Sequence, residues 1–236
     1  MFQNLAPECV YLIEPLIPAL FVIREAPDFN NNTLFNTTVG SLVKLIGPQR
    51  LLTVFPLSFE SGDTVDIPNG WLLPILRDNV SNSELKFFVS DLVPITATLR
   101  TRAETLKSEN KDLDAKVCFN LEYQIWSLLP SFCKTPTDLL ESFKVIAKTI
   151  GTLIGQRSEI RNILCSSLIS LIETCQTDDQ KIELGRFAKN FLPVLFNIFL
   201  TEPKPEDPPL KPVIDCVESY LSICPQDTLH VFFEKV

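Results

Sequence analysis

The feature that most constrains the fold of this chain is a recurring sequence motif in which a short apolar run ends in proline. The motif ends at Pro18, Pro56, Pro94 and Pro130, at intervals of 38, 38 and 36 residues, while a fifth instance at Pro193 falls outside this period. Proline inside a helix kinks or ends it, because proline lacks an N–H group and its ring clashes with the preceding turn. A break that recurs at nearly forty residues predicts a repeated helical unit.

The helical period is clearest between Leu139 and Ile154. Apolar residues recur there at intervals of three and four positions and define one face of a helix: Leu139, Leu140, Phe143, Ile146, Ala147, Ile150, Leu153 and Ile154. We predict that Thr135 is the N-cap of this helix, with Pro136 at its first position and Asp138 near the positive end of its dipole. The next helix follows after a few residues, so the two should form an antiparallel pair.

Similar patterns predict helices along the whole chain. Their expected bounds are 8–24, 34–46, 48–56, 70–79, 83–108, 112–132, 136–155, 158–176, 178–200, 209–223 and 226–236. Capping boxes mark two of the starts, at Ser81–Glu84 and at Thr177–Gln180. Two stretches are predicted to be loops: the acidic stretch 60–70 and the proline-rich stretch 201–211.

These patterns predict an all-α fold, a HEAT-type α-solenoid in which antiparallel helix pairs stack in sequence order. We expect residues 1–236 to form one continuous HEAT-repeat segment. The apolar stretch 230–236 ends without a capping residue, so we expect the segment to come from a longer solenoid. An irregular helical bundle with scattered prolines is the alternative, because the spacing to Pro193 departs from the period.

The charge of the chain restricts its partners. Lysine and arginine total 21 against 29 aspartates and glutamates, which gives a net charge of −8. The surface as a whole is therefore unsuited to nucleic acid, whose binding depends on phosphate neutralisation, but a local basic strip remains open. No membrane partner is expected, since the apolar run 9–23 is too short for a span and contains Glu14, Pro15 and Pro18.

Residues that support catalysis or ligand binding are scarce. The single histidine, His230, lies far from any distinctive nucleophile, and the sequence has no glycine-rich phosphate loop. The seven cysteines lack metal-ligand spacing and are interpreted as reduced core residues: Cys9, Cys118, Cys133, Cys165, Cys175, Cys216 and Cys224. Asp63 and Asp66 lack the order of a calcium loop. We therefore expect no enzyme activity, no cofactor and no small-molecule substrate.

Aromatic residues at helical spacing are expected in the core rather than in a base-stacking surface. These are Trp71, Trp126, Phe132, Phe143, Phe187 and Phe191. The candidate working surface is cationic instead. Cations three or four residues apart recur on successive predicted helices: Lys144 and Lys148, Arg157 and Arg161, Arg186 and Lys189. Equivalent helices of a stacked array lie side by side, so we predict that these residues form one strip that binds RNA or an acidic partner. The alternative is a solvated face whose ion pairs each contribute about 0–1 kcal/mol.

Several longer sequence motifs are similar to those of a known protein family. They are WLLP at 71–74, WSLLPSFC at 126–133, PTD at 136–138, SFK at 142–144 and RFAKNFLPVLFN at 186–197. In these motifs the chain resembles the ribosomal RNA-processing protein 12-like family, whose members are nuclear HEAT-repeat factors of small-subunit biogenesis. Members are much longer than 236 residues and carry basic, low-complexity tails that this segment lacks.

The resemblance implies a non-catalytic scaffold in ribosome biogenesis. Such a protein binds small-subunit precursor RNA and assembly factors, and it assists nuclear export of the pre-ribosome. It resides in the nucleus and nucleolus and shuttles to the cytoplasm. Two other classes stay open: an importin-like nuclear transport receptor, which would bind Ran or nucleoporin Phe-Gly repeats, and a HEAT scaffold subunit of a phosphatase or kinase complex.

Overall fold

The structure, a computed structural model, describes residue 15 and residues 17–57, 60–61, 65–66, 68–201 and 209–225. Its helices are α1 (Ile17–Arg24), α2 (Asn32–Ile46), α3 (Pro48–Val54), α4 (Leu72–Asn79), α5 (Leu85–Phe87), α6 (Val93–Ser108), α7 (Asp112–Trp126), α8 (Leu129–Phe132), α9 (Leu139–Gln156), α10 (Ser158–Glu173), α11 (Asp178–Arg186), α12 (Ala188–Leu200) and α13 (Lys211–Ile223). A π-helical turn, Phe88–Leu92, joins α5 to α6. Two short strands, β1 (Glu60–Ser61) and β2 (Val65–Asp66), precede α4.

The helix bounds follow the predicted ones closely. The predicted helix 112–132 is divided into α7 and α8, and the predicted helix 178–200 is divided at Phe187 into α11 and α12. Within the stretch 60–70, β1 and β2 pair antiparallel. Some predictions lie outside the described residues: helix 226–236 with His230, the start of helix 8–24 with Cys9, Asp63, the side chain of Asp66, and most of the loop 201–211.

The recurring prolines interrupt the helices in different ways. Pro56 follows the end of α3, and Pro130 lies in the first turn of α8. Pro94 is the second residue of α6, and the π-helical turn ends two residues before it; the wider backbone of that turn relieves the clash between the proline ring and the carbonyl group four residues earlier. Pro193 lies inside the continuous helix α12. The recurring prolines therefore lie at different places relative to the helix ends, and the proline does not end a helix each time.

The described residues fall into two compact units, drawn from Met1–Ser81 with Ile95–Gln124 and from Asn82–Pro94 with Ile125–Val236. In the first unit, α2 packs against α3 and α4. Gly47 alone connects α2 to α3, and its φ of 81° lies in the left-handed region that favours glycine. A separate apolar cluster joins α6 to α7: Ala103, Leu106, Ala115, Cys118 and Phe119.

In the second unit, helices stack in two rows that follow sequence order. One row consists of α5, α9 and α12, with α9 packed against both of the others. The other row consists of α8, α10 and α13, with α10 packed against both of the others. Contacts of α9 with α10, and of α12 with α13, connect the rows, so each helix pair contributes one helix to each row. Stacked pairs of this kind confirm the predicted all-α solenoid.

Hydrogen bonds join positions about one repeat apart. Ser170 Oγ donates to the carbonyl oxygen of Pro130, 40 residues earlier, at 3.4 Å. Thr174 Oγ1 lies 3.2 Å from the carbonyl oxygen of Cys133, 41 residues earlier, and accepts from the backbone N–H of Thr135, 39 residues earlier, at 3.1 Å. The end of α10 is thus tied to the segment around α8, and the separations agree with the proline period.

The predicted N-caps of two helices are wrong. Thr135 has a φ of 50° and precedes the actual cap position of α9, which is Asp138. The Asp138 carboxylate makes no capping bond to its own helix and instead accepts from the backbone N–H groups of Leu85 and Lys86, at 2.6 and 2.9 Å. The first amides of α5 are therefore satisfied by a residue of the next repeat, and not by the predicted capping box at Ser81–Glu84.

Aromatic rings fill much of the core of the second unit. Phe143 of α9 contacts Phe187 and Phe191, with ring centroids 5.0 and 6.4 Å apart. Phe191 in turn contacts Tyr220 of α13, at 5.3 Å. Four of the six aromatic residues predicted to be in the core are buried, while Trp71 and Phe187 are half-buried. The rings connect both rows of helices and fix α9 next to α12.

Candidate partner-binding surface

Helix α9 has one buried and one exposed face. The buried residues are Leu139, Ser142, Phe143, Ile146, Ala147, Ile150 and Ile154. Leu140, which the apolar pattern assigns to the buried face, is 51% exposed. It begins a row at four-residue intervals with Lys144 and Lys148, both of which are exposed. The same spacing in the sequence could have assigned Leu140 to the lysine side.

Three lysines of the predicted strip project from α9 and α12. Lys144 and Lys148 are exposed on α9, and Lys189 is exposed on α12. In the described part of the chain, no acidic side chain pairs with any of them, in contrast to Arg157 and Arg186 of the strip. The ring contact of Phe143 with Phe191 holds the two helices side by side. These three residues are referred to below as the lysine surface.

Two glycines of α9, Gly151 and Gly155, face α12. A Cβ atom added to Gly151 would lie 3.5 Å from the ring of Phe191, and one added to Gly155 would lie 3.4 Å from a methyl group of Val194. Such distances leave little room for larger side chains on this side of α9. The lysines of α9 and α12 therefore belong to neighbouring helices in direct contact.

The three arginines of the predicted strip have local partners. The contacts are Arg157 Nε with Glu159 Oε1 at 2.5 Å, Arg161 Nε with the carbonyl oxygen of Ile154 at 3.0 Å, and Arg186 Nη1 with Glu183 Oε2 at 2.7 Å. Arg157 is only 14% exposed at its side chain, and Arg161 stabilises the negative end of the α9 dipole. The six predicted residues thus form two groups: three arginines with local partners, and three exposed lysines that no acidic side chain of the described residues contacts. Their role as a binding strip stays a prediction.

The other row of the second unit carries mainly the opposite charge. Glu159, Glu173 and Glu218 are exposed on α10 and α13, and Asp215 is half-buried. The nearby cation Lys211 is occupied by Asp215, with its Nζ 3.3 Å from the carboxylate oxygen. The three lysines of the lysine surface therefore lie on the α9–α12 side of this unit, whereas the α10–α13 side exposes mainly carboxylates.

The described cysteines are free thiols, and four of them are buried. Burial raises the pKa of the Cys133 thiol, and a hydrogen bond with Cys165 together with burial raises the pKa of Cys216. A raised pKa keeps a thiol protonated and poorly reactive. Within the described ranges, no three His, Cys, Asp or Glu side chains converge in a way that could hold a metal ion.

None of the described helices combines the length and the apolar character needed to cross a membrane. What the second unit does provide is a stack of helices with charged exposed faces. Two rows of helices, stacked in sequence order in the second unit, define a helical-repeat protein of the HEAT class.

Comparison with known proteins gives the family within that class. The family model described as "Ribosomal RNA-processing protein 12, HEAT repeats" matches residues 1–202. The chain is 38% identical over 227 residues to the RRP12-like protein of Gallus gallus, and 35% identical over 223 residues to that of Homo sapiens; these matches cover 94% and 93% of the chain. Over 220 residues, covering 84% of the chain, it is 27% identical to the ribosomal RNA-processing protein 12 of Saccharomyces cerevisiae. The chain belongs to the ribosomal RNA-processing protein 12 family, as its sequence motifs indicate.

The chain spans only a small part of these relatives. It covers 18% of the length of the chicken protein, 17% of the human protein and 18% of the yeast protein. The functions of such whole proteins therefore apply to this chain as proposals.

Proposed function

We propose that this chain is a non-catalytic scaffold in ribosomal RNA processing. It binds small-subunit precursor RNA and assembly factors, and it assists export of the pre-ribosome from the nucleus. It acts in the nucleus and nucleolus and shuttles to the cytoplasm. Its contribution is to hold binding surfaces in fixed positions along stacked helices, and it carries out no chemical step.

Family membership supports the process, since relatives at 27–38% identity include proteins named for ribosomal RNA processing. The observation that carries the contact is the lysine surface. A chain with a net charge of −8 places three lysines without acidic partners among the described residues on two adjacent helices. Pre-ribosomal particles are rich in anionic groups, so the lysine surface is the part of this segment best suited to contact them.

The proposed contact is electrostatic, and its strength depends on ionic strength. Exposed charges are screened beyond roughly 8–10 Å at physiological salt, so association through the lysine surface should weaken as salt is added. The buried rings of α9 and α12 support the surface from below without touching the partner. Removing them would disturb the fold, whereas changing the lysines should not.

The test is charge reversal in the full-length protein. Lys144, Lys148 and Lys189 are replaced by Glu, and the small-subunit precursor RNA that co-purifies with the protein is quantified. We expect a marked loss, together with accumulation of unprocessed precursor. A matched control replaces Lys116, Lys134 and Lys181, which are also exposed, by Glu. Equal recovery of precursor RNA by both folded variants would contradict the role of the lysine surface. Recovery of none by the parent protein would contradict the proposed function itself.

A further inference from the structure

Helix α12 has an apolar flank on the side that faces away from α9. Phe191 and Val194 point toward α9, where they face its two glycines. At about 100° per residue, Pro193, Phe196 and Leu200 point roughly 130–170° away from that side, and they recur at intervals of three and four residues. These three residues are referred to below as the α12 flank.

The α12 flank includes apolar side chains that are open to solvent. Leu200 is 73% exposed, the neighbouring Phe199 is 49% exposed, and Pro193 is exposed as well. In the same row, α9 packs against α5 on one side and α12 on the other, whereas among the described helices α12 has a row neighbour only on its α9 side. An apolar stripe along one face of a helix is typical of a packing surface. The row is therefore suited to accept one more helix on α12.

The sequence that follows α13 carries a matching pattern. Residues 226–236 lie outside the described residues, and their sequence, QDTLHVFFEKV, has the apolar spacing of an amphipathic helix. In such a helix His230 and Glu234 lie on the polar side. The apolar positions are three, four and seven residues after the first, within about 100° of the helix circumference: Leu229, Phe232, Phe233 and Val236.

The described end of α13 leads the chain to the start of α12. Cys224 has extended backbone angles, φ −71° and ψ 132°, and precedes a proline, so α13 ends there. The carbonyl oxygen of Ile223 and the Cδ atom of Pro225 would lie 2.6 and 3.6 Å from a Cβ atom added to Gly185. Gly185 lies in α11, shortly before α12 begins. A helix over 226–236 would begin there, and its length of about 16 Å would extend along most of α12.

We propose that residues 226–236 form a helix that docks on the α12 flank. Its four apolar residues turn toward Pro193 and Phe196, and Val236 lies at the end nearest Leu200. The segment becomes the next member of the row formed by α5, α9 and α12, and its polar side stays in water. The inference goes beyond the proposed function and does not depend on it, because the contact is within the chain.

Tethering favours this segment over a separate partner. Only Cys224 and Pro225 join it to α13, and a tether that short gives an effective concentration of about the millimolar range. A second copy or another protein would have to bind the same flank from a far more dilute solution. RNA is not favoured, because the flank offers apolar side chains and only Lys189 near its start. The stem of Lys189 can pack beside a docked helix while its ammonium group stays in water.

The first experiment measures proximity with a photo-crosslinking benzoyl-phenylalanine in the full-length protein. The probe replaces Phe196, which is also aromatic, and in the control it replaces the exposed Asn197, which points about 100° away around α12. We expect the probe at 196 to crosslink to residues 226–236 of the same molecule, at a yield roughly fivefold above that from 197, since crosslinking needs contact. Mixing isotopically labelled with unlabelled protein separates crosslinks within one molecule from those between copies.

Several results would overturn the docking. They are crosslinks from position 196 mainly to RNA, to a second copy, to another protein or to any other part of the chain, and a yield no higher than that from position 197. None of them changes the recovery of precursor RNA, which is the test of the proposed function.

A pair of variants compares the two sides of the proposed helix. Phe232→Gln combined with Phe233→Gln removes two apolar contacts, whereas Val231→Gln, the matched control, changes the opposite side, and Gln is a good helix former. Hydrogen exchange with mass spectrometry then reports on α12. We expect its amides around Phe196 to exchange roughly tenfold faster in the double variant, because loss of two buried rings favours opening of the contact, and at the parent rate in the control. Equal protection of α12 in both variants would contradict the docking.

Discussion

The carboxylate of Asp138 accepts a hydrogen bond from the backbone N–H of Leu85, which lies 53 residues earlier, at 2.6 Å. The donor is the first residue of α5, and the acceptor occupies the cap position of α9. One side chain therefore completes the start of a helix in the preceding repeat. Because α5 and α9 belong to the same row of the second unit, the bond couples two neighbouring layers of that unit.

Replacing Asp138 by Ala should lower the free energy of unfolding by about 1–3 kcal/mol, since it leaves amides at the start of α5 without their acceptor. Leu85 is 0% exposed, so water cannot readily replace the lost bond. Asp138→Asn keeps an acceptor and should cost less. Urea denaturation gives the values. Asp179→Ala, at the exposed first turn of α11, is the control, and a loss as large there would show that the effect is not specific to the cap.

Gly185 is expected to tolerate no side chain. A Cβ atom there would lie 2.6 Å from the carbonyl oxygen of Ile223, which is backbone and has little freedom to move. Gly185→Ala should therefore destabilise the fold by about 1–3 kcal/mol. Gly151→Ala, whose Cβ would meet only the Phe191 ring at 3.5 Å, should be neutral or stabilise by up to about 1 kcal/mol. Thermal unfolding of both variants checks this, and the same shift for both would contradict it.

Trp126 should be one of the most sensitive core positions. It is 2% exposed and its ring centroid lies 5.9 Å from that of Phe88. Trp126→Ala should cost about 3–5 kcal/mol, because a large cavity remains. Its buried Nε1 has no hydrogen-bond partner among the described residues, so Trp126→Phe removes an unsatisfied donor and should cost clearly less. Denaturant midpoints that rank the two variants equally would be inconsistent with this packing.

The buried thiols should react slowly in the folded protein. Alkylation needs the thiolate, and burial raises the pKa of Cys133, so both access and ionisation oppose the reaction. Cys175 and Cys224 are half-buried and should be modified first, although burial raises the pKa of each of them as well. Mass spectrometry after brief treatment with iodoacetamide gives the order. Early modification of Cys133 in the native state would contradict its burial.

The same thiols predict a loss of stability at alkaline pH. In the unfolded chain a cysteine ionises near its ordinary pKa of about 8.5, whereas the raised pKa of Cys133 and Cys216 keeps them protonated in the folded protein. The folded state then binds more protons above that pH, so stability is fully present below about pH 8 and falls as pH rises through 8–10, by up to about 1.4 kcal/mol per pH unit for each thiol. Cys133→Ala should reduce the slope of unfolding free energy against pH. An identical slope in this variant would exclude Cys133 as a cause.

Local patterns in the sequence were sufficient to predict the helices, but they were not sufficient to predict the contacts between helices. The bounds of α9 and α10 follow from apolar spacing, and the Thr177–Gln180 capping box is present at α11, with Gln180 N–H donating to Thr177 Oγ1 at 3.3 Å. The cap of α5 could not be found in this way, because its acceptor, Asp138, lies a full repeat away. The π-helical turn before Pro94 likewise depends on how an interior proline is accommodated in three dimensions.

The candidate surface was predictable in part. Spacing alone identified Lys144, Lys148 and Lys189 as cations of successive helices, and the structure places them on adjacent, exposed helix faces. The spacing in the sequence could not show that Arg161 donates a hydrogen bond to the carbonyl oxygen of Ile154, because that contact depends on the turn between α9 and α10. An apolar residue at the margin of a helical stripe, as at Leu140, belongs to either face until the packing partner is known.

The hydrogen bonds from Ser170 and Thr174 back to residues 130–135 have a consequence for synthesis of the chain. During translation, the segment around α8 leaves the ribosome about forty residues before the end of α10, which supplies partners for two of its carbonyl oxygens and one of its N–H groups. That segment therefore lacks these hydrogen bonds until the following repeat has emerged from the ribosome. Folding should advance toward the C-terminus one repeat behind synthesis, so a pause within α10 would prolong the exposure of α8 to chaperones.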